Sequence, residues 1–303
     1  MLSVLTWGAM PVYALCMAAA VLISLFALGV QLRRAGFSCA LAALLLPLSA
    51  VLGYFGARTY YVLAYSVAGG HGMGRIHFFS PYPYEYALCG AVLGVLLACV
   101  LSAAAARQRP ARVLDAATLP MLLMLVLARV SEVFSDFGWG QVISREGLCF
   151  FPLAVKDAYG QWHGAVFFLE ALCAAAVMIA AMRRPAGDGL RFATALLWFA
   201  LTQIVCESLR AETIRWGFVR VQQVQCALFA LLLLICHTRR AGIKAGALAL
   251  RLLAFAACIG VVALMEFALD KWPSWPNAAC YGVMSAAVAG AGLNVQGVLT
   301  ARE

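Results

Sequence analysis

The chain alternates between long apolar runs and short polar connections. Windows of about 20 residues, the length of helix that crosses the hydrocarbon of a bilayer, give eight clear spans and a weaker ninth that is rich in Ala and Gly. The eight spans cover residues 12–32, 37–55, 86–106, 113–128, 164–182, 192–209, 221–237 and 247–265, and the ninth covers 278–299. Backbone polar groups in lipid must be satisfied within their own segment, which favours helices. The pattern predicts an all-α fold, a polytopic transmembrane helical bundle of eight or nine spans.

The composition agrees with lipid as the solvent. Hydrophobic residues make up 65% of the chain and charged residues 12%, against roughly 45–50% and about 25% in soluble proteins. A soluble globule could not hide so much apolar surface, and disorder or a secreted disulfide scaffold does not fit either. The eleven cysteines lie mostly inside apolar runs without a CxxC pair, so we interpret them as small hydrophobic residues and expect no metal or organic cofactor.

Positive charge is distributed unevenly over the connections. The first, third, fifth and seventh connections are short and hold twelve of the 22 Lys and Arg residues, whereas the second, fourth and sixth hold eight. Short loops with excess Lys and Arg face the cytoplasm. The sequence therefore predicts a multi-pass protein with its N-terminus outside. We ascribe the net charge of +9 to topology and anionic lipid rather than to nucleic acid.

Several ionisable residues lie at or inside the outward ends of the spans. Arg129 follows the apolar run 121–128, Glu170 lies within the fifth span, and Glu207 and Arg210 continue the sixth. Charged groups at such depth usually face a bundle interior and have a partner. Snorkelling to the interface is the alternative; it is harder for the short glutamates than for Arg210, Arg215 and Arg220, for which it stays open.

Two of these arginines have a carboxylate three residues away. Arg129 precedes Glu132, and Glu207 precedes Arg210, a spacing that places each pair on one helical face. The planar guanidinium binds phosphate in a bidentate manner, and a lipid headgroup is the anion available at that depth. The pairs predict an anion cradle, although a solvated helix end has the same pattern.

Three further segments carry weaker signals. Residues 69–74 (GGHGMG) have the composition of a flexible loop, and residues 78–86 (FFSPYPYEY) that of an aromatic belt at the membrane interface. Gly90 and Gly94 form a GxxxG pair that allows close helix packing. His163 borders the fifth span, and a lone histidine at an interface favours a structural role.

At the outward ends of the spans the chain resembles the bacterial prolipoprotein diacylglyceryl transferases. Residues 56–65 (GARTYYVLAY) resemble the family's G-A-R-x-x-Y-V-L-x-Y, and residues 128–132 (ARVSE), followed by Trp139-Gly140, resemble its signature G-R-x-G-N with a downstream W-G. Residues 207–210 (ESLR) resemble its E-F-x-R. Glu170 stands at the glutamate of its H-P-S-Q-L-Y-E segment, and Gln223 near the glutamine of its M-G-Q. The matches keep their order over residues 55–240.

The chain also departs from the family pattern at several positions. Leu88-Cys89-Gly90 stands where the family has a histidine before glycine, and Glu132 replaces the signature asparagine. Phe137-Gly138 stands where the family has an acidic residue just before the W-G, and Phe199 and Gln203 replace a tyrosine and an arginine. We therefore divide the chain into a transferase-like domain of seven spans, 1–245, and additional C-terminal spans, 246–303.

The resemblance implies a specific reaction. Members move the diacylglyceryl group of phosphatidylglycerol onto the cysteine thiol of a lipoprotein precursor, in the bacterial cytoplasmic (inner) membrane, and glycerol phosphate leaves. The partners implied are phosphatidylglycerol and the signal peptides of lipoprotein precursors. The catalytic residues implied are Arg129, Glu132, Glu207 and Arg210, and the substrate-binding residues implied are Arg58, Tyr61, Glu170, Gln203 and Gln223.

Three functions remain open from the sequence. The first is this transferase, and the second is a lipid-binding relative that kept the bundle and lost catalysis, which the replaced family residues favour. The third is a small transporter, since buried Glu and Arg residues also suit a transport path. Internal repeats would favour a transporter. We find none, because the arginine-bearing fourth and sixth spans have different flanking sequences.

The topology gives the first prediction. Reporter fusions placed after Arg112 and after Arg184 should both read cytoplasmic, because both positions lie in short, arginine-rich connections. A fusion after Lys156, in an even-numbered connection, should read outside. A cytoplasmic signal after Lys156, or an outside signal after either arginine, would contradict the assignment.

Overall fold

The fold is a set of long helices with three short ribbons. A computed structural model of the chain describes residues 6–7, 10–67, 85–135, 138–157, 159–272 and 276–300. Within these ranges the helices are α1 (Val12–Arg34), α2 (Cys39–Val67), α3 (Leu88–Ala105), α4 (Pro110–Ser131), α5 (Val166–Met182), α6 (Leu190–Leu209), α7 (Val221–Arg240), α8 (Ala245–Lys271) and α9 (Asn277–Thr300). The antiparallel ribbons are β1 (Thr6–Trp7) with β2 (Met10–Pro11), β3 (Ala154–Lys156) with β4 (Trp162–Gly164), and β5 (Arg215–Trp216) with β6 (Val219–Arg220). The all-α, polytopic prediction is confirmed.

Eight of the described helices are long and apolar enough to cross a membrane. The exception is α5, which is apolar but has only 17 residues. The sequence predicted the last span as the weak one, yet α9 has 24 residues and qualifies. Its many small residues lower its hydropathy without shortening the helix.

Two helices run further than their apolar windows. The second span was predicted to end at residue 55, but α2 continues to Val67, and the eighth was predicted to end at 265, but α8 continues to Lys271. The prediction that Arg58 lies in the second connection is therefore wrong, because Arg58 lies inside α2. A span predicted from hydropathy ends near a charged residue. The helix itself continues past that residue when the charge has a partner, because its backbone hydrogen bonds are not interrupted.

Some predicted features lie outside the described residues. The glycine-rich stretch 69–74 does so entirely, and so does most of the aromatic segment 78–86, of which Glu85 and Tyr86 are described.

The chain divides into two compact units, Met1–Phe192 and Ala193–Glu303. In the first unit α2 packs on α3, and α4 packs on both α1 and α5. Its core contains a cluster of apolar side chains from the first four helices: Leu28, Leu32, Leu41, Leu45, Cys99 and Val113. In the second unit α9 packs against α7 and α8. The proposed division at residue 245 concerns the family resemblance and stays a prediction.

Glycines bring α2 and α3 into backbone contact. A Cβ on Gly90 would collide with the carbonyl oxygen of Gly56, and a Cβ on Gly94 would collide with the carbonyl oxygen of Leu52. Both positions are buried. The close packing expected of the GxxxG pair is confirmed.

A buried carboxylate organises the connection between α5 and α6. Asp115 of α4 is fully buried and accepts backbone N–H bonds from Gly187 (2.7 Å), Gly189 (2.9 Å) and Phe192 (2.9 Å). These donors include an N–H in the first turn of α6 that no helical carbonyl can satisfy. Asp115 could not be predicted as a structural residue, because its partners are distant along the chain.

The helix contact gives the second prediction. Gly94→Leu should destabilise the protein by about 1–3 kcal/mol or more, because an added side chain must push two packed backbones apart. Gly260→Leu is the matched control, since Gly260 lies in α8, is exposed and has no atom near its Cβ position. Thermal unfolding in detergent should show a lower midpoint for Gly94→Leu alone; equal midpoints would contradict the close approach.

Candidate functional site

The most buried charged cluster in the first unit surrounds Arg129. Its Nε lies 2.6 Å from Oε2 of Glu170, and its Nη1 donates to Oε1 of Glu132. Arg129 and Glu132 are 6% and 7% exposed, and Glu170 is completely buried. Of the two interpretations left open by the sequence, a paired interior charge therefore describes Glu170, and snorkelling does not.

Local structure brings the three side chains together. Arg129 lies in the last turn of α4, and a 3₁₀ turn (Glu132–Phe134) continues the chain, so that the carboxylate folds back onto the guanidinium. Glu170 lies in the second turn of α5, which packs on α4. Tyr13, near the start of α1, is close enough to interact electrostatically with Glu132 and Arg129. Tyr13 was not among the predicted site residues, because it lies within the apolar first span.

Gly138 provides the space that Glu132 occupies. Its φ is +71°, and a Cβ there would collide with the Glu132 carboxylate and lie 3.0 Å from Cβ of Phe167. The carbonyl of Gly138 also accepts the N–H of Phe167 at 3.0 Å. Both the backbone conformation and the close approach require glycine at this position.

A second charged pair joins Arg58, inside α2, to Glu85. Nη1 of Arg58 is 2.7 Å from Oε2 of Glu85 and also donates to the Glu85 carbonyl at 3.1 Å. The rings of Tyr61 and Tyr86 each lie 5.9 Å from the guanidinium carbon. The predicted residues Arg58 and Tyr61 therefore lie together, whereas Glu85 was missed because it stood within the expected aromatic belt.

The connection between α4 and α5 is a ribbon held by polar contacts. His163 Nε2 lies 3.3 Å from Oδ2 of Asp157, and the His163 ring packs 5.2 Å from that of Trp139. Partial desolvation raises the pKa of Asp157, but N–H bonds from Gln161 and Tyr159 and the His163 contact outweigh it and keep that pKa below its usual value. These contacts are consistent with the structural role expected of His163.

In the second unit, the end of α6 carries the other predicted pair. Nε of Arg210 lies 3.9 Å from Oε2 of Glu207, with side-chain exposures of 12% and 2%. Gln203 lies one turn earlier and is buried, and its Nε2 has no hydrogen-bond partner among the described residues. The face of α6 that carries Gln203 and Glu207 is therefore polar although it is buried.

Arg220 and Gln223 form a network with α8 in the same unit. Arg220 donates to the carbonyls of Ser208 and Arg210, both at 2.9 Å, and its Nε lies 3.7 Å from Oε2 of Glu266. Gln223 Nε2 lies 2.6 Å from Oε1 of Glu266. Arg220 is 5% exposed, which favours a buried pairing over snorkelling, whereas Arg215 is exposed. Arg220 and Glu266 were not among the predicted site residues.

The two units together define a class of protein. Each contains arginines in or beside long apolar helices, and a carboxylate lies within ion-pair distance of each of Arg58, Arg129, Arg210 and Arg220. Within the described ranges no group of three or more His, Cys, Asp or Glu side chains could hold a metal ion. The arrangement is that of a polytopic membrane protein with arginine-based polar sites between its spans, suited to anionic ligands.

Comparison with known proteins gives the family. The family profile described as prolipoprotein diacylglyceryl transferase matches residues 3–239. The chain belongs to that family, and it is a multi-pass transferase of the bacterial inner membrane that acts on lipoprotein precursors. No curated protein matches the chain.

The third prediction tests the space around Glu132. Gly217 has φ +65° and no atom near its Cβ position. Gly217→Ala should therefore lower the free energy of unfolding by about 1–2 kcal/mol, through its left-handed backbone alone. Gly138→Ala should cost about 1–3 kcal/mol more, because the methyl group also displaces Glu132. Thermal unfolding of both variants measures the difference, and equal losses would show that Gly138 serves the turn only.

Proposed function

We propose that the donor lipid is phosphatidylglycerol and that the acceptor is the lipobox cysteine thiol of precursor signal peptides. The observation that carries the proposal is a buried arginine, Arg129, held between two carboxylates at the end of a membrane helix. Family membership supplies the reaction class.

The reaction substitutes one bond for another at the lipid. The cysteine thiol releases its proton to water, and the resulting thiolate attacks the glyceryl carbon that carries the phosphate. A carbon–sulfur bond forms while the carbon–oxygen bond breaks, and glycerol phosphate departs with the bonding electrons. Charge therefore grows on the phosphate oxygen in the transition state, and a preorganised cation beside it lowers the barrier.

Arg129 is placed to supply that cation. Its Nη1 donates to Glu132, and its Nε is in an ion pair with Glu170 at 2.6 Å without a hydrogen bond among the described residues. We assign Nη2 of the planar guanidinium to a phosphate oxygen. Both carboxylates fix the orientation of the Arg129 guanidinium. The guanidinium therefore needs little reorganisation as charge develops on the phosphate, which is the condition for strong electrostatic catalysis.

Other predicted residues supply further polar groups. In the second unit, Arg210 presents a guanidinium with 12% of its side chain exposed, and Gln203 has an amide nitrogen without a described partner; both can donate to an anionic headgroup. In the first unit, Arg58 and Tyr61 form a cation–π pair, and we assign them to the lining of the lipid site.

An outside N-terminus is part of the proposal. Helices that alternate in direction bring the start of α1, the end of α4 and the start of α5 to the same membrane face. Tyr13, Arg129 and Glu170 come from these three ends and lie in one cluster. With the arginine-rich connections in the cytoplasm, this cluster faces the outer leaflet, where exported precursors are met.

A second candidate is a lipid-binding member without transfer activity. The observation that favours it is the second carboxylate on Arg129: Glu132 replaces the asparagine of the signature, and its negative charge competes with a phosphate for the guanidinium. Family membership supports either candidate over a transporter.

The fourth prediction concerns Arg129. Arg129→Ala should lower the transfer rate by about two to three orders of magnitude, because it removes about 3–4 kcal/mol of transition-state stabilisation. Arg129→Lys should not restore activity, since lysine keeps the charge without the planar fork that serves two carboxylates and a phosphate. The assay is transfer of labelled diacylglyceryl from phosphatidylglycerol to a lipobox peptide.

Arg215→Ala is the matched control, because Arg215 is an exposed arginine in the β5–β6 ribbon, and its loss should change the rate by less than about threefold. Equal rates for wild type and Arg129→Ala would remove the assigned role. A folded wild-type protein that binds the lipid without transferring it would establish the second candidate instead.

A further inference from the structure

A helix beyond the family match contributes a carboxylate to family residues. The match ends at residue 239, and α8 begins at Ala245. Glu266 of α8 is 5% exposed, its Oε1 accepts from Gln223 at 2.6 Å, and its Oε2 lies 3.7 Å from Nε of Arg220. Both Arg220 and Gln223 lie within the family match.

Glu266 determines which way the Gln223 amide faces. The Nε2 group donates to Glu266 and also to the carbonyl of Ile204 at 2.9 Å. Both partners are pure acceptors, so only the NH₂ side of the amide can face them. The amide carbonyl of Gln223 is thereby directed away from both, as an acceptor for a donor such as a headgroup hydroxyl.

The same carboxylate balances the charge of Arg220. That guanidinium donates to the carbonyls of Ser208 and Arg210 and to Oγ1 of Thr213 at 3.0 Å, and so it anchors the end of α6 where Glu207 and Arg210 lie. A buried cation held by neutral carbonyls alone is costly. The Glu266 carboxylate, 3.7 Å away, supplies negative charge together with Glu207.

We propose that Glu266 is a positioning residue of the transfer reaction, which orients Gln223 as a hydrogen-bond acceptor and keeps Arg220 on the end of α6. The inference rests on the proposed function and extends it: a C-terminal helix supports the family residues of the second unit. An acidic residue inside an apolar span is a functional candidate by default, because it is tolerated only with a partner.

A matched pair of polar contacts separates positioning from helix packing. Near the start of α8, Arg251 donates to the carbonyl (3.0 Å) and Oδ1 (3.2 Å) of Asn294 in α9, and Asn294 Nδ2 donates back at 2.8 Å. Asn294→Ala therefore removes a polar tie of α8 without touching Gln223, Arg220 or Glu266. It is the control for a purely structural effect.

The experiment is a double-mutant cycle in the full-length protein. Gln223→Ala, Glu266→Gln and the double variant are purified in detergent, and kcat and KM for phosphatidylglycerol are measured together with lipid binding by native mass spectrometry. Each single change should lower kcat/KM by roughly tenfold, the scale of one charge-assisted hydrogen bond. The double variant should lose little more than either single one, since coupled residues are not additive.

Two further variants exclude a trivial loss of folding. Glu266→Asp keeps the charge and should stay within about threefold of wild type, whereas Asn294→Ala should lower the unfolding midpoint and leave kcat/KM unchanged. Additive losses in the cycle, or Glu266→Gln with normal kcat/KM, would overturn the inference. If the wild type binds phosphatidylglycerol without transferring it, the proposed function fails, and the cycle measured on binding still decides the role of Glu266.

Discussion

A charge placed at membrane depth must have its partner beside it, and the described polar architecture follows from this constraint. Isolated ions in low dielectric are so costly that they are found paired or not at all. Arg129 is paired with Glu170 of the next helix, and Arg220 with Glu266. The first ion pair connects α4 with α5, and the second connects strand β6 with α8, so each contact stabilises charge and also fixes the packing of two elements.

In the proposed function these pairs also preorganise the charged groups for the transfer reaction. A guanidinium held by two carboxylates cannot rotate to follow an incoming ligand, and a fixed dipole or charge is what stabilises a transition state most effectively. The small residues contribute to the same end: Gly138 leaves room for the Glu132 carboxylate, as Gly90 and Gly94 leave room for α2. The position of a charged group and the space that holds it therefore depend on each other: a side chain added at Gly138 would displace the Glu132 carboxylate.

Hydropathy predicted the helices well, because a run of apolar residues has few other solutions in a bilayer. The pairs Arg129–Glu132 and Glu207–Arg210 were also predictable, since a spacing of three residues places both side chains on one face. The partners Glu170, Glu85 and Glu266 could not be assigned in this way, because they come from other helices or connections and the sequence carries no signal for their distance.

Two span ends were misplaced for the same physical reason. The predicted second and eighth spans ended before Arg58 and directly before Glu266, because hydropathy scores a charge as the end of a membrane segment. Paired charges do not end a helix, and both helices continue beyond them. A lone charge beside a long apolar run is therefore better interpreted as a candidate site residue than as a boundary.

Complementation tests the central claim most directly. A bacterial strain depleted of its own prolipoprotein diacylglyceryl transferase would express the full-length chain, and mass spectrometry would follow the lipobox cysteine of an abundant lipoprotein. If the chain is an active transferase, we expect growth to return and the cysteine to carry a diacylglyceryl thioether derived from phosphatidylglycerol. Folded protein in the membrane with no growth and unmodified precursor would contradict it.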